Sequence, residues 1–189
     1  LTHRGFSVRL YNRSPERLGP IFKRGGIEML DGEAKGFHTP SLITTDLARA
    51  AANTDLILVM PTSLGHRGVA RSLAPLLQDG QIVVLCSGGA GSLEFARIWS
   101  ELGMNQNVLL GETSTMPVAA RDRGNAQYTM KLPSTPRTAA FPGRYTAQLC
   151  MLLEPIFHPV PAEHVLDSGI NNPNWLIHPM PMVLNYSEV

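Results

Sequence analysis

The sequence predicts an α/β fold: a doubly wound, mainly parallel sheet with helices on both faces, followed by the start of an all-helical domain. Three observations carry the expectation. Strand-like and helix-like stretches alternate along the chain. Two inner stretches, Leu56-Ile57-Leu58-Val59-Met60 and Ile82-Val83-Val84-Leu85-Cys86, are unbroken apolar runs, the pattern of strands buried on both faces. The helical stretches between them carry apolar residues at helical spacing.

The elements follow in order. Leu1-Thr2-His3-Arg4-Gly5 reads as the end of a helix stopped by glycine, so the chain is expected to begin in mid-domain. Phe6-Ser7-Val8-Arg9-Leu10-Tyr11 alternates apolar and polar residues and predicts a strand. Ser14 then offers a helix N-cap with Pro15 at the first helical position, and the helix should stop at Gly25-Gly26. Residues 27–37 read as a hairpin turning at Asp31-Gly32, and a short helix runs from Thr45-Asp46 to about Asn53.

After the 56–60 strand, Val69, Leu73, Leu76 and Leu77 mark a helix. After the 82–86 strand, Leu93, Phe95, Ile98, Trp99 and Leu102 form the inward stripe of the next. Val108-Leu109-Leu110-Gly111 and Tyr128-Thr129-Met130 are further strands, and a helix at 145–157 presents Leu149, Leu152, Leu153 and Ile156. The pattern weakens at 159–167, and something new starts at 170–185. Domains are therefore expected at 1–167 and 168–189.

Composition narrows the function classes. The 189 residues are 43% hydrophobic and 16% charged, as in a folded globular chain, with a formal net charge of +1. No Lys/Arg run interleaves with aromatics, so no nucleic-acid partner is expected, and no apolar run approaches the roughly 18 residues of a membrane span. No signal peptide is visible. Cys86 and Cys150 both sit in apolar stretches and read as buried thiols of a reducing, cytoplasmic compartment. His3, His38, His66, His158 and His164 show no metal-ligand spacing, so no metal site is expected, and no serine-hydrolase elbow occurs.

Open parallel sheets bind ligands outside the carboxyl ends of their strands, so the loops after the apolar runs are the ones that matter. The first strand is followed by Asn12-Arg13-Ser14, where a dinucleotide-binding sheet places an acid for a ribose 2′-hydroxyl or an arginine for a 2′-phosphate. No acid is present. Arg13 and Ser14 either grip a phosphate or are a solvated side chain and a helix cap.

Ser87-Gly88-Gly89-Ala90-Gly91 lies between a buried strand and a helix, but Glu94 stands where G-x-G-x-x-G requires its last glycine. This loop either approaches part of a ligand or is a glycine-rich turn, and no full G-x-G-x-x-G occurs in the chain. Glu112 closes the strand at 108–112, at the binding edge, where it lines a pocket or caps the strand. Pro173 suits a first helical turn capped by Asn172, which puts Asn174 and His178 four residues apart on one helix face. An amide and an imidazole so placed can hold a carboxylate or carbonyl and move a proton; the plainer alternative is a packing histidine. Pro179 and Pro181 should kink or open a helix there.

Taken together these residues resemble the octopine/nopaline (opine) dehydrogenase family of NAD(P)-dependent enzymes, across essentially the whole chain. The likeness runs from His3-Arg4-Gly5 and Val8-Arg9-Leu10-Tyr11-Asn12-Arg13-Ser14-Pro15-Glu16-Arg17-Leu18 to Thr44-Thr45-Asp46-Leu47. It continues through the 56–60 strand with Pro61, then Asp79-Gly80-Gln81-Ile82-Val83-Val84-Leu85, Leu93-Glu94-Phe95 and Glu112-Thr113. It ends on Asn174-x-x-x-His178-Pro179 with Leu184-Asn185.

The resemblance implies a Rossmann-type dinucleotide-binding domain, N-terminally truncated, before the beginning of a helical substrate domain. It implies NADP (or NAD) as cofactor, with Asn12, Arg13, Ser14, Pro61, Ser87 and Gly88 as its binding residues. The implied reaction is a reversible reductive condensation of an amino acid with an α-keto acid, with those small molecules as partners. His178 would be the acid/base, and Asn174 and Glu112 would contact substrate. The relay carboxylate and the phosphate loop would lie outside the chain, so the chain alone is expected to be inactive and to bind cofactor weakly. Two alternatives stay open. One is a dehydrogenase of the 6-phosphogluconate or ketopantoate reductase kind, although its usual lysine would have to follow the sheet domain and none occurs after Lys131. The other is a non-catalytic binding module. Oligomeric state is not legible in the sequence, a homodimer being the assembly entertained.

Overall fold

The computed structural model describes residues 1–60, 62–130, 135–172 and 179–184. Its largest sheet has five strands in the order β11-β10-β7-β6-β5. These are β5 (Leu56–Val59), β6 (Ile82–Leu85), β7 (Leu109–Thr113), β10 (Arg137–Phe141) and β11 (Val160–Pro161). β5, β6 and β7 are mutually parallel, with Leu58 beside Val84 and Val84 beside Gly111.

The apolar runs behave as a doubly wound sheet requires. On one face Ile57, Val59, Val83, Leu85 and Leu110 join a core built with α3 (Ser63–Leu73) and α4 (Gly91–Glu101). On the other, Leu56, Leu58, Val84 and Leu109 pack with Leu149 and Leu153 of α5 (Thr146–Leu153). Successive side chains of one strand thus enter opposite cores, so an uninterrupted apolar sequence is needed. At Gly111 an added Cβ would lie 2.2 Å from Leu149 Cδ2, so glycine there lets α5 approach β7.

Three features depart from the sequence expectation. First, the strands do not form one sheet. β1 (Arg9–Tyr11) pairs in parallel only with β4 (Leu42–Thr44). α1 (Pro15–Arg24) buries Leu18 and Ile21 in a small separate core with Ala126. Second, the strand expected at 128–130 is β9 (Gln127–Met130) and lies outside the main sheet. It joins β2 (Ile27–Met29), β3 (Gly36–His38) and β8 (Ala120–Asp122) in a four-stranded sheet ordered β3-β2-β9-β8. Third, β10 runs antiparallel to β7, with Ala139 opposite Glu112. Its sequence, Arg-Thr-Ala-Ala-Phe, lacks the bulky apolar run that marks β5 and β6.

The expected helices form with adjusted edges. Asp46 caps α2 (Leu47–Ala51) through the Arg49 amide. In α4, Phe95, Ile98 and Trp99 are buried as expected, but Leu102 lies at the helix end and is half exposed. Leu152 of α5 likewise faces outward. The chain then forms α6 (Val165–Ile170) and α7 (Pro179–Leu184). The boundary expected at 167/168 falls inside α6. Among the described residues no helix is long and apolar enough to cross a membrane.

Candidate functional site

The carboxyl ends of parallel β5, β6 and β7 define one edge of the main sheet, and the 87–91 loop and Glu112 lie there. The loop is sharply folded. Ser87, Gly89 and Ala90 all have left-handed backbones, with φ of 63°, 55° and 65°. Two of the three carry a Cβ, which disfavours that conformation unless neighbours enforce it.

Those neighbours are on β7. Ser87 N donates to Thr113 Oγ1 (3.0 Å) and Gly88 N to Thr113 O (3.0 Å). Ala90 N donates to Glu112 Oε1 (2.8 Å), while Ser92 N (3.0 Å) and Ser92 Oγ (2.7 Å) donate to Glu112 Oε2. Glu112, Thr113 and Ser92 are completely buried. The negative group at the amino end of α4 is therefore the protein's own side chain, in a position favoured by the helix dipole and by the end's unpaired amides.

Close packing completes this arrangement. A Cβ on Gly88 would lie 2.6 Å from Glu112 Cβ, and one on Gly91 would lie 2.3 Å from His66 Nδ1. A Cβ on Gly169, in α6, would lie 3.0 Å from Ala90 N and 3.6 Å from Glu112 Oε1. Glu94, on the first turn of α4, points away to Arg67, whose Nε donates to it at 3.0 Å. Burial pushes the thiol of Cys86, just before the loop, up to about 12. It stays protonated and unreactive at neutral pH.

The second predicted loop is built differently. At the end of β1, Ser14 N donates to Asn12 Oδ1 (2.9 Å), closing a turn typical of asparagine. Ser14 has the extended backbone of an N-cap, with Pro15 in the first turn, yet its hydroxyl makes no capping bond. Arg13 is exposed. A cleft of about 550 Å³ opens beside this turn, lined by Tyr11, Asn12, Glu16, Arg17, Asp122 and Tyr128 among others.

A further polar knot lies where α6 leaves the main sheet. Asp167 accepts from Arg137 Nη2 (2.5 Å), Asn171 Nδ2 (2.6 Å) and Glu163 N (3.0 Å). The Glu163 amide, followed by Arg137, holds its carboxyl below the usual aspartate range. Asn172 Nδ2 donates to Ser114 O, tying the start of the next segment to the end of β7.

Of the expected site residues, Ser87, Gly88 and Glu112 come together at one sheet edge. Asn12, Arg13 and Ser14 form their own turn after β1. Pro61, Asn174 and His178 lie outside the described residues. Sequence reasoning did not single out Ser92, Thr113, Arg137 or Gly169. A carboxylate closing an apolar strand, two residues after Leu110, was the available signal that Glu112 needed internal donors. Among the described residues no group of three or more His, Cys, Asp or Glu is placed to hold a metal.

Comparison with known proteins bears on this geometry. The chain is 30% identical over 191 aligned positions to an opine dehydrogenase of Arthrobacter sp. (strain 1C), covering 98% of this chain and 52% of that one. Its fold matches octopine dehydrogenase solved with NADH and pyruvate at a TM-score of 0.68 and 18% identity, covering 91% of this chain and 46% of the other. It also matches NADP+-bound yersinopine dehydrogenase at a TM-score of 0.65 and 16% identity, covering 92% and 46%. The chain thus spans about half the length of these relatives. No family model matches it.

Proposed function

Because this chain is a homologue of opine dehydrogenase along nearly its whole length, we propose that it is the dinucleotide-binding part of an NAD(P)H-dependent oxidoreductase of that type. The observation that carries the reading is that homology, which coincides with a Rossmann-type parallel sheet whose candidate residues gather at strand carboxyl ends.

In this reading the Asn12–Arg13–Ser14 turn holds the adenosine end. Asn12 is committed to closing the turn, so the exposed Arg13 guanidinium is the group that meets a ribose 2′-phosphate. The strand-end position that would carry an acid for a ribose 2′-hydroxyl is Asn12, which with Arg13 favours NADP over NAD. Ser87 and Gly88 approach the cofactor as a surface, since their amides already donate to β7. Pro61, two residues after β5 in the sequence, is a further cofactor contact in this reading.

The reaction is the condensation of an amino acid's amine with the carbonyl of an α-keto acid. Water is lost and a C=N bond forms; hydride then adds to its carbon and a proton to its nitrogen. The bound dinucleotide supplies the hydride. His178 acts as acid/base and Asn174 orients the substrate.

The test follows NADPH and NADH absorbance at 340 nm with α-keto acids and a panel of amino acids, in the protein and in His178→Ala. The reading expects oxidation that requires both co-substrates, prefers NADPH and falls at least about a hundredfold in the variant. Oxidation with a keto acid alone would instead indicate a simple 2-hydroxy-acid dehydrogenase.

A further inference from the structure

We propose that Glu112 is a positioning residue whose buried carboxylate locks the 87–91 loop and couples it to α6, so that residues 87–92 and 165–172 move as one unit. Three observations converge. The carboxylate takes both the Ala90 and Ser92 amides as well as the Ser92 hydroxyl, all from within 3.0 Å. The loop it holds contains two non-glycine residues, Ser87 and Ala90, in left-handed backbone. From the opposite side α6 seats Gly169 against the same loop, where an added Cβ would lie a tight 3.0 Å from Ala90 N and in ordinary contact, 3.6 Å, with Glu112 Oε1.

The coupling has a physical direction. A left-handed alanine and serine persist only while something over-determines them. Removing the carboxylate frees two amides at the start of α4, and the loop relaxes toward ordinary backbone angles. The surface on which Gly169 rests then changes shape, and α6 loses its seat. α6 continues into Asn171 and Asn172, and the latter is tied to Ser114. A disturbance at the loop therefore reaches Asn172 through packed backbone.

The coupling stands on contacts within the chain. Its consequence for catalysis rests on the proposed function. The test is peptide-resolved amide hydrogen exchange on the full chain, comparing Glu112→Gln and Gly169→Ala with the unaltered protein. The near-isosteric amide keeps one acceptor oxygen and presents a donor at the other position, so either the Ala90 amide or the Ser92 amide loses its acceptor. The added methyl on Gly169 pushes the loop from the α6 side without touching the carboxylate chemically.

In both variants exchange should quicken about tenfold or more in 87–92 and in 165–172 together, while β6 keeps its protection. Quickening of only one of the two segments would overturn the coupling. So would uniform loss of protection through β6, which would make Glu112 an ordinary core residue. Should Glu112→Gln fail to fold, Gly169→Ala carries the same test. A parallel NADPH titration separates the two ideas: absence of dinucleotide binding by the unaltered protein removes the proposed function and leaves the exchange result to decide the coupling.

Discussion

The turn at 12–14 and the loop at 87–91 both follow parallel strands and precede helices. They differ in who occupies the donors. At the glycine-rich loop, the Ser87 and Gly88 amides donate to Thr113, and the Ala90 and Ser92 amides to a completely buried Glu112. At the other, one amide closes a small turn on Asn12, and the neighbouring cation is exposed beside a cleft of about 550 Å³. Glycine content marks where the backbone must bend and where neighbours come close. Anion binding requires donors that are still free.

This contrast yields ordered expectations. The largest concerns Glu112→Ala, which leaves two buried donors and one half-buried donor without their acceptor. It should lower unfolding free energy by about 3–5 kcal/mol in a urea titration. A loss below about 1 kcal/mol would mean that water reaches these donors and the loop is not closed.

Next is Gly88→Ala, whose methyl would sit 2.6 Å from Glu112 Cβ. Destabilisation of about 1–3 kcal/mol is expected from the same titration. Arg13→Ala should leave stability nearly unchanged and weaken NADPH about tenfold with NADH unaffected, as fluorescence titration would read. Equal loss for both nucleotides would remove Arg13 from the 2′-phosphate. The smallest effect is Ser14→Ala: its hydroxyl makes no capping bond, so the midpoint should shift by no more than about 0.5 kcal/mol rather than the larger cost of a working cap.

Much of the fold could be read from the residues. The runs at 56–60 and 82–86 declared buried parallel strands because both of their faces are covered, and Asp46 and Gly25 marked helix ends where their backbone chemistry places them. β10 stayed hidden because small residues such as Ala139 and Ala140 leave no hydrophobic pattern, although both are fully buried. The separation of β2, β3, β8 and β9 into their own sheet was hidden too. Pairings such as Glu28 with Gln127 join residues far apart in sequence, and local pattern cannot show them. Residue types flagged the bends at 12–14 and 87–91, but not that Glu112 turns inward. That outcome depends on Ser92 and Gly169 converging from two helices.

The central claim is that the 12–14 turn, and not the amino end of α4, receives the nucleotide phosphate. The most direct measurement is a two-dimensional ¹⁵N–¹H titration of the chain with adenosine 2′,5′-bisphosphate, which presents the 2′-phosphate without needing a pyrophosphate loop. The account predicts saturable shifts at Asn12, Arg13, Ser14 and Glu16, abolished by Arg13→Ala, with Ser87, Ala90 and Ser92 unmoved. Shifts centred on Ala90 and Ser92, with the 12–14 turn silent, would contradict it.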